Sequence, residues 1–273
     1  MTSSYEVSYE TTIESNDNDL QKLDRGDGNK INEKDSTTNE ISEELEEIFD
    51  VPEDSILRQK FPLKNKWDFY YLKDDKDLNW IDRLMKVYTF DNLGEFIAFL
   101  NEAKPPSLLK NGSDYNLFKN GIKPLWEEDD NVEGGRAVLT LDKSANCEIL
   151  DNMWKELMLA LASEHFADYS DSICGAVCNI RNKGSKISIW TKNSNDEATN
   201  KAIARQMVET ILNAPGIDKC RKYFESVRFE EHKQASTKSN SSLPPKILVY
   251  VKEIANLWKE KEEQQTSSTL ASH

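Results

Sequence analysis

The stretch Ile173-Cys-Gly-Ala-Val-Cys-Asn-Ile-Arg-Asn-Lys-Gly-Ser-Lys-Ile-Ser-Ile-Trp-Thr191 reads as a β-hairpin, two apolar runs joined by the turn signal Asn182-Lys-Gly-Ser185. Strand alternation sends Ile187 and Ile189 to one face and Lys186, Ser188 and Trp190 to the other. Outward from the hairpin, Trp67–Leu72, Arg136–Leu141, Phe224–Phe229 and Lys246–Val251 carry the β-branched and aromatic composition of strands. Between them lie three helical stripes. Leu93, Phe96, Ile97 and Leu100 recur at i, i+3, i+4 and i+7 behind a cap at Asp91. Residues 148–164 bury Leu150, Met153, Trp154, Leu157 and Leu161. A third helix opens at the capping box Ser194-Asn-Asp-Glu197 and buries Ala198, Ile203, Met207 and Ile211. Strands outnumber helices and no βαβ rhythm appears, so the expected class is α+β, an antiparallel sheet with helices on one face.

The chain has 273 residues, with 35 Lys and Arg against 49 Asp and Glu, a formal net charge of −14. As a whole-chain figure this argues against a nucleic-acid partner, because phosphate contacts need exposed cations. The charge is unevenly spread. Residues 1–50 hold 15 acidic and 4 basic residues, which leaves 34 acidic and 31 basic in the remainder. Residues 1–55 are therefore expected to form an acidic disordered N-terminal tail. Residues 56–252 form the folded domain, and residues 253–273 a charged C-terminal helix and frayed tail. No apolar run reaches membrane-spanning length and no secretory signal opens the chain. The four cysteines lack the spacing of a disulfide framework or a zinc site, and Cys174 and Cys178, four apart on a strand, are expected to share a buried face.

No phosphate loop, nucleophile elbow or metal-spaced His and Cys set is present, which disfavours an enzyme. Neither metal nor cofactor is called for. The tryptophans are more informative. Trp80 and Trp126 both stand in long polar loops, where an exposed ring can serve as a stacking platform for a base. Glu127 follows Trp126, and a carboxylate can accept from both N1–H and the N2 amino group of guanine. Residues 173–194 hold Arg181, Lys183, Lys186 and Lys192 without one acid, and residues 233–252 hold Lys233, Lys238, Lys246 and Lys252 likewise. Two acid-free basic stretches in so acidic a chain point to phosphate.

From Phe61 to Tyr250 the sequence resembles the eukaryotic translation initiation factor 4E family, the mRNA cap-binding proteins. The resemblance rests on Trp67 through Trp80, Ser113-Asp-Tyr-Asn-Leu-Phe118, Pro124-x-Trp-Glu127, Gly134-Gly-Arg136, Tyr169-Ser-Asp through Cys174-Gly-Ala-Val177, and Arg181-x-Lys-Gly-x-Lys-Ile-x-Ile-Trp190. It implies a curved, mostly antiparallel sheet with three helices on its convex face and a pocket for the 7-methylguanosine triphosphate cap on its concave face. Trp80 and Trp126 would sandwich the methylated base, Glu127 would bind its N1 and N2 hydrogens, and Trp190 would lie against the N7 methyl. Arg136, Arg181 and Lys186 would hold the phosphates, with Lys183 and Lys238 as further candidates.

The family binds the factor 4G scaffold and repressors on its convex side through a Tyr-x4-Leu helix. The matching positions are Phe61, Pro62, Leu63, Leu93, Ile97, Glu156 and Leu159, with Lys155 beside them. The family has His at the position of Phe61, Trp at that of Ile97 and an apolar residue at that of Lys155. Scaffold or repressor binding is expected to be weakened or altered. The expectation is thus a monomeric cytoplasmic protein, with the nucleus as a second compartment, that recruits capped mRNA to initiation. The alternative is a cap-binding repressor or specialised isoform with weakened scaffold binding.

Overall fold

The computed structural model describes residues 61–75, 77–143, 147–217, 221–236, 245–258 and 260. The acidic tail expected over 1–55, the frayed end from 261 and Lys238 lie outside the described residues. Eight strands form one sheet: β1 (Pro62–Leu72), β2 (Leu84–Asn92), β3 (Asp114–Lys119), β4 (Gly135–Thr140), β5 (Ile173–Asn179), β6 (Lys186–Thr191), β7 (Ser226–Glu231) and β8 (Ile247–Tyr250). Their order across the curved sheet is β2-β1-β3-β5-β6-β4-β7-β8, and every neighbouring pair is antiparallel. The long helices are α1 (Leu93–Glu102), α2 (Cys147–Ala162) and α3 (Glu197–Leu212).

Register divides the sheet into two faces. Phe69, Leu117, Ala176, Ile189, Ala137, Phe229 and Ile247 pair in turn across seven strands. All seven are buried in the main core, where Phe96 and Phe99 of α1, Met153, Trp154 and Leu157 of α2, and Ile203, Met207 and Ile211 of α3 cover them. Each large apolar side chain so covered contributes about 1.5–3 kcal/mol by leaving water. One residue along each strand the sense reverses. Tyr70, Asn116, Val177, Ser188, Val138, Arg228 and Leu248 make the neighbouring row and belong to the opposite, concave face. There Tyr70, Phe118, Ile122, Cys174, Val177 and Trp190 form a second, smaller apolar cluster.

The hairpin, the convex helices and the alternation at Ile187–Trp190 are as the sequence indicates, with several corrections. Strand β2 has no counterpart in the sequence reading, and β3 stood there only as a motif. On β2 only Phe90 and Asn92 are buried, so its periodicity is faint. Helix α1 is capped by Asn92, which accepts from Glu95 N–H at 2.9 Å, while Asp91 pairs with Lys66. Helix α3 begins behind Asp196, which accepts from Thr199 N–H. Ser194 is buried just ahead of it, and Ala198 is exposed instead of packed. Residues 251–258 are helical, but Val251, Ile254 and Ala255 dock in the core, so this helix is not simply exposed.

Cys174 and Cys178 lie on opposite faces. A register shift between Ile173 and Gly175 breaks the alternation, leaving Cys174 in the concave cluster and Cys178 in the main core. Burial pushes the Cys174 thiol up to about 12 and that of Cys178 well above its usual value. Both are inert structural thiols. Among the described residues, no helix is long and apolar enough to cross a membrane.

Gly175, next to that shift, has no room for a side chain. A Cβ there would stand 2.4 Å from the carbonyl oxygen of Leu117 and 2.5 Å from the ring of Phe118. Gly175→Ala should therefore destabilise the domain by about 1–3 kcal/mol in urea titration, the usual cost of overpacking. An unchanged midpoint would mean that β3 and β5 are less tightly paired than described.

Candidate functional site

The concave face opens into a cleft of about 350 Å³ whose walls come from separate elements. Trp80 begins a single helical turn, Trp80–Arg83, at the end of the loop after β1. The base of that loop is closed by Lys73 N–H on the Arg83 carbonyl (3.0 Å) and by Arg83 Nε on the Lys73 carbonyl (2.7 Å). Trp126 and Glu127 stand in the loop between β3 and β4. This loop winds around buried Asn131, whose Nδ2 donates to the carbonyls of Lys123 (2.9 Å) and Leu125 (2.7 Å). The two loop indoles remain 43% and 37% exposed, high values for rings of that size, whereas Trp190 is 8% exposed and belongs to the cleft floor. Phe118 meets Trp190 edge-on, with ring centroids 5.4 Å apart, and His232 lies 4.1 Å away.

Trp80, Trp126, Glu127, Arg136 and Trp190 thus line one cleft, together with Asp114, Asn116 and Asn179. Buried Asn116 Nδ2 and Trp190 Nε1 have no hydrogen-bond partner among the described residues. Lys186 is paired in register with Asn179 at the rim. Arg181 joins the same rim through Asp114, donating from Nη1 at 2.6 Å and from Nη2 at 3.1 Å. Lys183 is exposed in the turn and does not line the cleft.

The stretches that hold no acid in sequence do face acids in space: Arg181 meets Asp114, Lys192 lies 3.8 Å from Asp130, and Lys246 meets Glu231 at 2.5 Å. The arginines outside those stretches are paired as well. Arg136 donates from Nε and Nη2 to Glu230 on the adjacent strand, and Arg228 reaches the other Glu230 oxygen at 2.6 Å. Lys186 has no carboxylate partner among the described residues. Burial holds its ammonium below the ordinary lysine value, and the charges of Arg136, Arg228 and Arg181 add to that. The Glu230 carboxylate opposes this only in part, so the rim keeps a half-buried cation suited to an anionic ligand. Among the described residues, no group of three His, Cys, Asp or Glu gathers that could hold a metal ion.

Comparison with known proteins is consistent with this geometry. Residues 62–246 match the family described as Eukaryotic initiation factor 4E. The chain belongs to the eukaryotic initiation factor 4E family. It is 40% identical to eukaryotic translation initiation factor 4E-1 of Caenorhabditis elegans over 190 residues, covering 70% of this chain and 89% of that protein. Against the Homo sapiens factor 4E it is 37% identical over 213 residues, covering 78% and 93%. Among solved structures, Ascaris suum eIF4E-3 in complex with an m2,2,7G cap superposes with a TM-score of 0.62 at 37% identity, covering 70% of this chain and 98% of that one. Caenorhabditis elegans eIF4E-3 in complex with the 4E-binding protein Mextli gives 0.61 at 36% identity, covering 70% and 99%.

On the convex side of this factor 4E-family fold, Phe61 and Ile97 are exposed, whereas Leu63 and Leu159 are half-buried against the core. Leu93 N–H donates to the Phe61 carbonyl at 2.9 Å, joining the start of β1 to α1. Lys155 is exposed and donates to Asn101 at 3.1 Å, tying α2 to α1. Sequence reasoning missed Asp114, Arg228, Glu230 and His232 as neighbours of the site. Their alternation was readable, but which strand lay beside β4 was not.

His232 is buried beside Trp190, and its imidazole is pushed down to about 3, by burial first and then by the Arg136 charge. Between that value and the ordinary 6.5 the unfolded chain binds a proton that the folded chain refuses. Stability should therefore fall as pH drops below 6.5, by at most about 1.4 kcal/mol per pH unit. In His232→Gln the loss between pH 7 and pH 5 should be visibly shallower in urea titration. Identical slopes would show that His232 accepts its proton in the folded state.

Proposed function

We infer that this protein binds the 7-methylguanosine triphosphate cap of mRNA and delivers capped mRNA to translation initiation. It acts as a binding protein of the cytoplasm and not as an enzyme. The observation that carries this reading is the convergence of Trp80, Trp126, Glu127, Arg136 and Trp190 on one cleft. In the proposed arrangement, Trp80 and Trp126 close on the two faces of the base. N7 methylation makes that base cationic, so each indole gains a cation–π attraction of about 0.5–2 kcal/mol beyond ordinary stacking. The Glu127 carboxylate accepts from N1–H and the N2 amino group, its backbone N–H donates to O6, and Trp190 meets the N7 methyl. Arg136, Arg181 and Lys186 hold the phosphates, with Lys183 and Lys238 as further candidates. Glu230 and Asp114 keep Arg136 and Arg181 in place until the ligand arrives. The domain carrying the site is taken as residues 56–252, flanked by an acidic tail over 1–55 and a charged end over 253–273.

On immobilised 7-methyl-GTP the protein should be retained and should elute with free ligand. Trp80→Ala and Glu127→Ala should each weaken binding by about 10- to 100-fold in fluorescence titration, the range expected for one stacking or charged contact. Normal binding by both variants would move the base elsewhere. Added salt should weaken the triphosphate more than the bare methylated nucleoside, because only the former meets the cationic rim. Equal salt dependence would remove Arg136, Arg181 and Lys186 from the phosphate role.

A second reading concerns the convex side. Ile97 is exposed where the family has Trp, and Lys155 stands where an apolar residue is usual, so we propose that scaffold-type Tyr-x4-Leu helices bind this chain weakly. That would suit a repressor or specialised isoform. Ile97→Trp should increase the affinity of a Tyr-x4-Leu peptide by about tenfold, the value of one well-buried aromatic anchor. Tight binding by wild type, unchanged in the variant, would return the protein to ordinary scaffold-dependent initiation.

A further inference from the structure

The row of residues that contains Trp190 runs on past the cleft. Asp68, Phe118, Gly175, Trp190 and Arg136 pair in turn across β1, β3, β5, β6 and β4, and Thr89 of β2 lies opposite Asp68. Asp68 therefore stands on the concave face, yet it does not line the cleft and is only 1% exposed. A carboxylate so buried needs a full set of donors, and this one has them. From β2, Lys86 Nζ lies 2.8 Å from Oδ1, and Thr89 Oγ1 donates to the same oxygen at 2.7 Å. From the turn after β3, Asn120 Nδ2 reaches Oδ1 at 3.0 Å and Oδ2 at 3.2 Å, and the Gly121 N–H donates to Oδ2 at 3.3 Å. Burial alone would raise the Asp68 carboxyl. The donors from Lys86, Thr89, Asn120 and Gly121 outweigh it and hold the group below the usual carboxylate range.

Both sets of donors lead to a wall of the cleft. Strand β2 opens at Leu84, immediately after the helical turn that Trp80 begins. Asn120 and Gly121 open the loop that carries Trp126 and Glu127. Leu84 and Ile122 pack on the concave cluster beside Tyr70, which repeats the link in apolar contacts. An apolar side chain at position 68 would cover the sheet without the desolvation cost of a buried charge, but it would tie neither segment to the other. We propose that Asp68 is a positioning residue for the base site: by holding β2 and the Asn120–Gly121 turn on one carboxylate, it fixes the spacing between the indoles of Trp80 and Trp126. The proposal deepens the cap-binding reading above and rests on it. Two rings stack on both faces of one base only over a narrow range of separations, so drift of either segment weakens both contacts. Asp68 itself touches no ligand atom, and its effect passes through the rings.

The test is a double-mutant cycle, read by titrating 7-methyl-GTP into the full-length protein. Asp68→Ala should weaken binding about tenfold, within the range for coupled residues of one network. In a Trp126→Ala background, where the spacing no longer matters, the same change should weaken binding by less than about twofold. The salt dependence of binding should stay that of wild type, because the phosphate rim is untouched. Asp68→Asn, which keeps the shape and one acceptor oxygen, should regain part of the lost affinity. Thermal melts show whether Asp68→Ala folds. If it does not, Asn120→Ala, at an exposed side chain, removes donors on the Trp126 side alone and should give the same pattern at smaller size. Unchanged affinity in the folded variant, or an equal loss in both backgrounds, would reduce Asp68 to a stabilising role and overturn the proposal while leaving the cap site intact. Wild type failing to bind 7-methyl-GTP would overturn the cap reading itself, and the base-site role of Asp68 with it.

Discussion

The pairing of β4 with β6 is the constraint on which the rest of the molecule depends. It brings Ala137 against Ile189 on the convex side and Arg136 against Trp190 on the concave side. Helices α2 and α3 must cover Ile187 and Ile189, because leaving such side chains wet costs about 1.5–3 kcal/mol each. That burial obliges Lys186, Ser188 and Trp190 to face the other way. A slip of one residue would bury the cations and expose the isoleucines, so the drive to form a core also specifies the floor of the cleft.

The concave face needs its own stabilisation, because it carries cations without a helical cover. Arg136 and Arg181 are each held by a carboxylate, Glu230 and Asp114. Lys186 is not, and its ammonium is disfavoured in the folded protein. The arrangement is one of incomplete neutralisation, in which two guanidinium groups are oriented by carboxylates and one ammonium has no carboxylate partner among the described residues. Trp190 is secured differently, between Phe118 and a neutral His232. A charged imidazole there would repel Arg136 and lack a partner for its second N–H.

Much of this was legible in the sequence, and the gaps have physical causes. The hairpin over 173–191 was clear because its turn residues and alternation agree. Helices α1, α2 and α3 were clear because their apolar stripes are strong. Strand β2 was not, since an edge strand with one large fully buried side chain, Phe90, carries almost no period. The cap at Asp91 and the box at Ser194 failed by one or two positions because Asn92 and Asp196 compete for the same role. The opposed faces of Cys174 and Cys178 could not be read at all, since a bulge is invisible to a count of residues. The cleft followed from its tryptophans. Its acids did not, because Glu230 and Asp114 reach their arginines across 94 and 67 residues.

Strand β8 has only four residues, and the chain turns at once into a helix anchored by Val251, Ile254 and Ala255. An outer strand so brief presents few free amide and carbonyl groups along its border. A stray extended segment from another molecule therefore finds little to extend, and fibrillar growth from that side of the sheet is discouraged.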